Sequence, residues 1–123
     1  MLRYQNFLLA QYWVPEYGDS ANADQFKYLA AYSPYQNVKQ GTNYPAVLFV
    51  TGDSDTRVAP LHARKMTALL QWATSADNND GRPILLSYDT KSGHSGGRPL
   101  PKEIDELTDE LSFLMWQLGM ETN

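Results

Sequence analysis

Residues 44–55 read YPAVLFVTGDSD, and the short apolar run inside them decides the fold. Ala46 to Val50 form a continuous apolar stretch bounded by Pro45 and Gly52. A run this short, with no polar alternation, is the signature of a strand buried on both faces, as in parallel sheets. The next segment, APLHARKMTALLQWA (59–73), reads as a helix with Pro60 near its first turn. Met66, Leu69, Leu70 and Ala73 form its apolar stripe. ILLSYD (84–89) repeats the strand pattern after the polar turn TSADNNDGRP (74–83). KEIDELTDELSFLMWQLG (102–119) is a last helix. Its Ile104, Leu107, Leu111, Leu114, Met115 and Leu118 predict a core-facing stripe, and Gly119 stands where a C-terminal cap belongs.

Strand, helix, strand, helix implies a right-handed crossover and a parallel sheet, with short strands at about 46–50 and 84–89. The fold class is therefore α/β. Two strands are too few for a parallel sheet covered on both faces, so residues 1–123 read as part of a larger domain. Upstream, MLRYQNFLLAQYW (1–13) is apolar and aromatic, and VPEYGDSANAD (14–24) reads as a loop. ADQFKYLAAYSP (23–34) predicts a short helix capped by Asn22 or Asp24, with Phe26, Leu29 and Ala30 on one face and Pro34 as its stop.

Composition excludes several chemistries. There are no cysteines, which removes disulfides, thiolate metal sites and cysteine nucleophiles. Two histidines leave too few ligands for a His-rich metal cluster. The net charge of −4 and the scattered Lys and Arg argue against nucleic acid as a partner. No apolar run approaches a membrane span. The opening residues lack the pattern of a signal peptide, so the chain as written is expected in the cytoplasm rather than exported.

SGHSGG (92–97) carries the chemistry, and it reads in two ways. From Gly93 it fits G-x-S-x-G, which would make Ser95 the nucleophile of an α/β-hydrolase elbow. Yet Ser95 lies well past the strand end at Asp89, and Pro99 and Pro101 prevent a helix from starting at once. In that fold the triad runs Ser, then acid, then His, and no histidine follows Ser95. His94 fits the base instead, and Ser95 reads as a small loop residue. The acid belongs on the loop after the preceding strand, TGDSDTRV (51–58), where Asp53 and Asp55 both qualify. Adjacent parallel strands bring such loops together at the carboxyl edge of the sheet. The plain alternative is an aspartate that caps the helix near Pro60 and a solvated histidine.

At these residues the sequence resembles the C-terminal end of the prolyl oligopeptidase family, serine peptidases that cut short peptides after proline. The resemblance runs through MLRY, the Trp and Tyr-Gly of YWVPEYG, YSPYQNV, YPAVLFVTGDSDTRVAPLHARK, DTKSGHSGG and the final amphipathic helix. It implies the C-terminal segment of an α/β-hydrolase fold. It implies Asp55 as the triad acid, not Asp53, and His94 as the base. Arg57 resembles the arginine that binds the carbonyl just before the substrate proline, a task suited to a fixed planar cation. Trp13 resembles the indole stacked on the proline ring, and Tyr17 and Val58 the rest of that pocket. His62 is assigned a structural or capping role.

The resemblance also implies that the elbow serine, the oxyanion hole and the β-propeller precede Met1. The partners expected are then proline-containing peptides and the missing N-terminal part of the catalytic domain, with no cofactor and no metal. Such a chain is expected to be inactive alone. A different reading makes it a non-catalytic, truncated α/β-hydrolase domain that forms a homo-oligomer through an exposed sheet edge. An esterase or acylaminoacyl peptidase is a third, disfavoured by the Trp13 and Arg57 pair.

Overall fold

The computed structural model describes residues 1–74, 81–94 and 99–120. Two 3-10 helices, Tyr4–Asn6 and Leu8–Trp13, lead into α1 (Val14–Tyr17), α2 (Ala23–Tyr32) and α3 (Pro34–Asn37). The α/β part follows as β1 (Val47–Gly52), α4 (Leu61–Ala73), β2 (Ile84–Asp89) and α5 (Leu100–Gln117). The strands pair in parallel, with Val47 opposite Ile84 and Gly52 opposite Asp89. The α/β expectation therefore holds.

Several boundaries differ from the sequence reading, each for a physical reason. β1 begins at Val47 rather than Ala46 and runs to Gly52, because Thr51 and Gly52 find partners in Tyr88 and Asp89. α2 ends at Tyr32, because the residue before a proline is pushed out of the helical region; Ser33 sits at φ −62°, ψ 112°. Asn22, not Asp24, is the cap: its Oδ1 accepts the N–H groups of Asp24 at 3.0 Å and Gln25 at 3.2 Å. Of the predicted α2 face only Leu29 is fully buried, and Phe26 is exposed. Val14–Tyr17, read as loop, makes one helical turn. The assignment of Ser95 as a small loop residue lies outside the described residues.

The buried apolar side chains fall into two groups. Tyr4, Ala10 and Leu29 form one, with Leu2, Trp13 and Val14 packed against it. Ala59, Leu70, Ala73 and Ile84 are buried where α4 covers the sheet. The α4 stripe thus behaves as its periodicity predicts.

The α5 stripe does not. Ile104, Leu107, Leu111 and Leu114 are about half exposed, and Leu118 is 71% exposed. The predicted core-facing stripe faces outward, while Lys102, Glu106 and Glu110 are half-buried. Periodicity shows that a face is apolar, but not what covers it. The helix end itself is as expected. Gly119 adopts φ +64°, its N–H bonds to the Trp116 carbonyl, and the Met120 N–H reaches back to that of Met115.

Candidate active site

The two loops at the carboxyl edge of the sheet continue the ladder beyond its last pair. The Asp53 N–H donates to the Asp89 carbonyl at 2.8 Å, and the Ser54 N–H to the Ser92 carbonyl at 3.0 Å. This approach requires glycine at 52. A Cβ there would lie 2.2 Å from the Ser92 carbonyl oxygen and 3.0 Å from that of Gly93. The sequence thus places a glycine where the second loop crosses the first.

Asp55 follows Ser54 directly, and His94 lies two residues past Ser92. His94 Nδ1 lies 2.8 Å from Asp55 Oδ2. The other carboxylate oxygen, Oδ1, accepts the N–H groups of Arg57 and Val58, both at 2.8 Å. Burial alone would push the Asp55 carboxyl up. The Val58 N–H, the His94 ring and the Arg57 N–H outweigh it and hold the carboxyl below its ordinary value. An ionised Asp55 can only accept, so Nδ1 is the donor, and in the neutral ring Nε2 is then an acceptor. The Asp55 side chain keeps 9% exposure and that of His94 38%, so the acceptor nitrogen belongs to the more open partner. The arrangement can take a proton at Nε2 and stabilise the resulting imidazolium from behind.

Asp53 is engaged elsewhere. Its carboxylate accepts the Tyr88 hydroxyl, and Arg64 lies over the Tyr88 ring at 5.5 Å. The plain alternative for Asp55, a helix cap near Pro60, also fails, since no side chain caps α4. Asp55 instead closes its own turn through Arg57 and Val58.

The pair borders a depression of about 370 Å³ lined by Gly52, Asp55, Val58, His62, His94 and Glu106, among others. Val58 therefore joins the pair. Arg57 contributes its backbone N–H, and its side chain is not part of that lining. Trp13 and Tyr17 belong to the N-terminal group: Trp13 packs on Tyr4, Ala10 and Leu29, and Tyr17 meets the Tyr4 ring edge to face at 6.0 Å. His62 caps nothing. Its ring stands edge to face with Phe7 at 5.2 Å, and burial, the N-terminal ammonium and Lys65 lower its pKa.

Sequence reasoning passed over Asp89, Ser92 and Lys102. Asp89 ends β2 and accepts the Lys91 N–H at 2.7 Å, the Ser92 hydroxyl, and Lys102 Nζ at 2.8 and 3.0 Å. The signal was available in DTKS (89–92), where an acid with hydroxyl residues one and three positions on at a strand end reads as a side-chain-closed turn. Among the described residues no group of three or more His, Asp or Glu converges as a metal site, and no helix is long and apolar enough to cross a membrane.

The family model described as "Prolyl oligopeptidase family" matches residues 1–121. The chain is 38% identical over 123 residues to a prolyl endopeptidase of Elizabethkingia meningoseptica, covering 99% of this chain and 17% of the relative. It is 36% identical over 124 residues to a prolyl endopeptidase of Dictyostelium discoideum, covering 100% of this chain and 16% of the relative. Among solved structures, prolyl oligopeptidase B from Galerina marginata, bound to a 35mer hydrolysis and macrocyclization substrate, superposes with a TM-score of 0.90. That likeness has 31% identity and covers 100% of this chain and 17% of the other. The chain thus spans about a sixth of the length of the curated relatives it matches.

Proposed function

The chain belongs to the prolyl oligopeptidase family, and from that premise we propose that it is the C-terminal part of a serine peptidase catalytic domain that cuts after proline. It supplies the acid and the base, and a serine outside these 123 residues supplies the nucleophile. The observation that carries this reading is the bond between His94 Nδ1 and Asp55 Oδ2.

The chemistry runs through His94 Nε2. As the serine oxygen bonds to the carbonyl carbon of the proline, Nε2 takes the hydroxyl proton. The imidazolium is stabilised by ionised Asp55. The same proton passes to the departing amine as the C–N bond breaks, leaving an acyl-enzyme. Water then repeats the sequence in place of serine, and the acid product leaves. Trp13, Tyr17 and Val58 line the proline pocket, and Arg57 binds the preceding carbonyl. By this reading the chain alone is inactive.

The test is a chimera in which these 123 residues replace the corresponding segment of the Elizabethkingia meningoseptica enzyme. It is expected to cleave a proline-amide chromophore, and His94→Ala is expected to lower kcat by about 10³-fold or more. A folded chimera without activity, or one indifferent to His94→Ala, overturns the proposal. So does hydrolysis by the chain alone that His94→Ala abolishes.

A second reading has its own observation: the outward apolar stripe of α5, beside a sheet that has two strands among the described residues. On this reading the chain is non-catalytic and self-associates through its sheet edge and that stripe. A concentration-independent monomer in sedimentation overturns it.

A further inference from the structure

Deepening the proposed acid–base assignment and resting on it, we propose that Asp89 and Lys102 form a clasp across the base of the loop that carries His94, and that the clasp holds the ring on Asp55. They are positioning residues and touch no reacting atom.

Three observations lead there. First, Asp89 and Lys102 stand 13 residues apart, and His94 lies between them in the chain. Asp89 is the last residue of β2, and Lys102 is in the first turn of α5. Their ion pair shortens the free span of the loop, which reduces the conformations open to His94.

Second, the carboxylate that holds Lys102 also holds the loop. Asp89 accepts the Lys91 N–H and the Ser92 hydroxyl. Ser92 is buried at 4% exposure, its carbonyl accepts the Ser54 N–H at 3.0 Å, and it fills the space over Gly52. Ser54 precedes Asp55, and Ser92 lies two residues before His94. The path from Lys102 to the pair is therefore a continuous chain of bonds.

Third, Asp89 and Lys102 border a depression of about 220 Å³ whose α5 side also carries Asp105, Glu106 and Asp109. Lys102 lies between Asp89 and those carboxylates in charge. Its ammonium offsets part of the like charge that Asp89 shares there with Asp105 and Asp109. Exposed ion pairs contribute little to global stability, so the effect is expected at the loop rather than in the fold as a whole.

The test is NMR of the His94 ring in this chain, without substrate. The readout is the population with a hydrogen-bonded Nδ1–H, together with the titration of the Asp55 carboxyl. Lys102→Met is expected to reduce the Nδ1–H population several-fold and to move the Asp55 titration upward. Asp89→Asn is expected to do so less, because it removes a charge instead of exposing one. Lys102→Arg restores the signal, and Lys27→Met, which breaks the solvent-exposed Lys27–Asp24 pair, leaves it untouched. Salt at about 1 M, where screening acts beyond about 3 Å, weakens the wild-type signal without any substitution. An unchanged ring signal in Lys102→Met and Asp89→Asn, with strand amides still protected, overturns the clasp. Loss of the signal together with strand-amide protection also overturns it, since the cause is then unfolding. An inactive chimera sinks the proposed function, while the ring signal alone decides the clasp.

Discussion

His94 and Asp55 stand 39 residues apart in the chain and 2.8 Å apart in space. The ladder beneath them accounts for this. β1 and β2 end on the same rung, Gly52 opposite Asp89, and two further backbone bonds carry the pairing into the loops. Asp55 and His94 lie just beyond that zipped segment.

Replacing Asp55 by Asn keeps the shape but offers the ring an amide. In the chimera kcat is expected to fall by about 10³–10⁴-fold with little change in KM, because the tautomer, not substrate binding, is lost. Steady-state kinetics on a proline-amide substrate check it. A loss confined to KM would remove Asp55 from the chemistry.

Gly52→Ala places a methyl 2.2 Å from a backbone oxygen, which cannot swing aside as a side-chain end could. The loop must move, at a cost of about 1–3 kcal/mol. Urea unfolding measures that cost, and the His94 Nδ1–H signal should vanish with it. A variant as stable as the wild type, with the ring signal intact, would show the loop approach to be looser than described.

Acid sensitivity follows from two aspartates. Burial pushes the Asp55 carboxyl up, but the Val58, His94 and Arg57 bonds together leave it below its ordinary value. Lys102 first, then Ser92 and the Lys91 N–H, hold Asp89 well below its own. Unfolded, both return to about 3.9. Between the folded and unfolded values the unfolded chain binds protons that the folded chain refuses. Stability is therefore complete above the ordinary aspartate range and falls as pH drops through the folded values. Urea midpoints at about pH 6 and about pH 3 are expected to differ less in Asp55→Asn and Asp89→Asn than in the wild type.

Leu111→Glu tests the α5 stripe. For a half-exposed side chain the expected cost is within about 0.5 kcal/mol. Truncating a core leucine such as Leu70 to Ala costs about 2–5 kcal/mol. If the stripe joins two copies, sedimentation shifts toward monomer in Leu111→Glu. An unfolded variant would return the stripe to the core.

How far the sequence could be read depended on whether an element's partner lies near it in the chain. β1, α4 and β2 bury one another within residues 47–89, and their periodicity identifies them and the α4 stripe. His94, and an acid at Asp53 or Asp55, were legible because strand ends and chain order confine them; the resemblance chose Asp55. Gly119 as a helix end was legible because a left-handed glycine satisfies the last carbonyls locally. The direction of the α5 stripe was not legible, because an amphipathic pattern carries no record of its partner. Phe26 misled for the same reason. Asp89 and Lys102 were missed because their relation is a side-chain bond across a turn, which leaves no periodic trace. Choosing Asp55 over Asp53 from residues alone needed the knowledge that Tyr88 occupies Asp53.

The common rung of the two strands also makes a ruler. Asp55 and His94 are counted off from Gly52 and Asp89, so adding or deleting one residue in 53–54 or 90–93 misplaces one partner outright, whatever residue is used. The stretch between α4 and β2 supplies none of the bonds described for either side chain. Length variation should therefore be sharply uneven along this chain: intolerable over a handful of positions at the carboxyl edge, and permissible between α4 and β2. An insertion scan would trace the acid–base pair with no chemical assay at all.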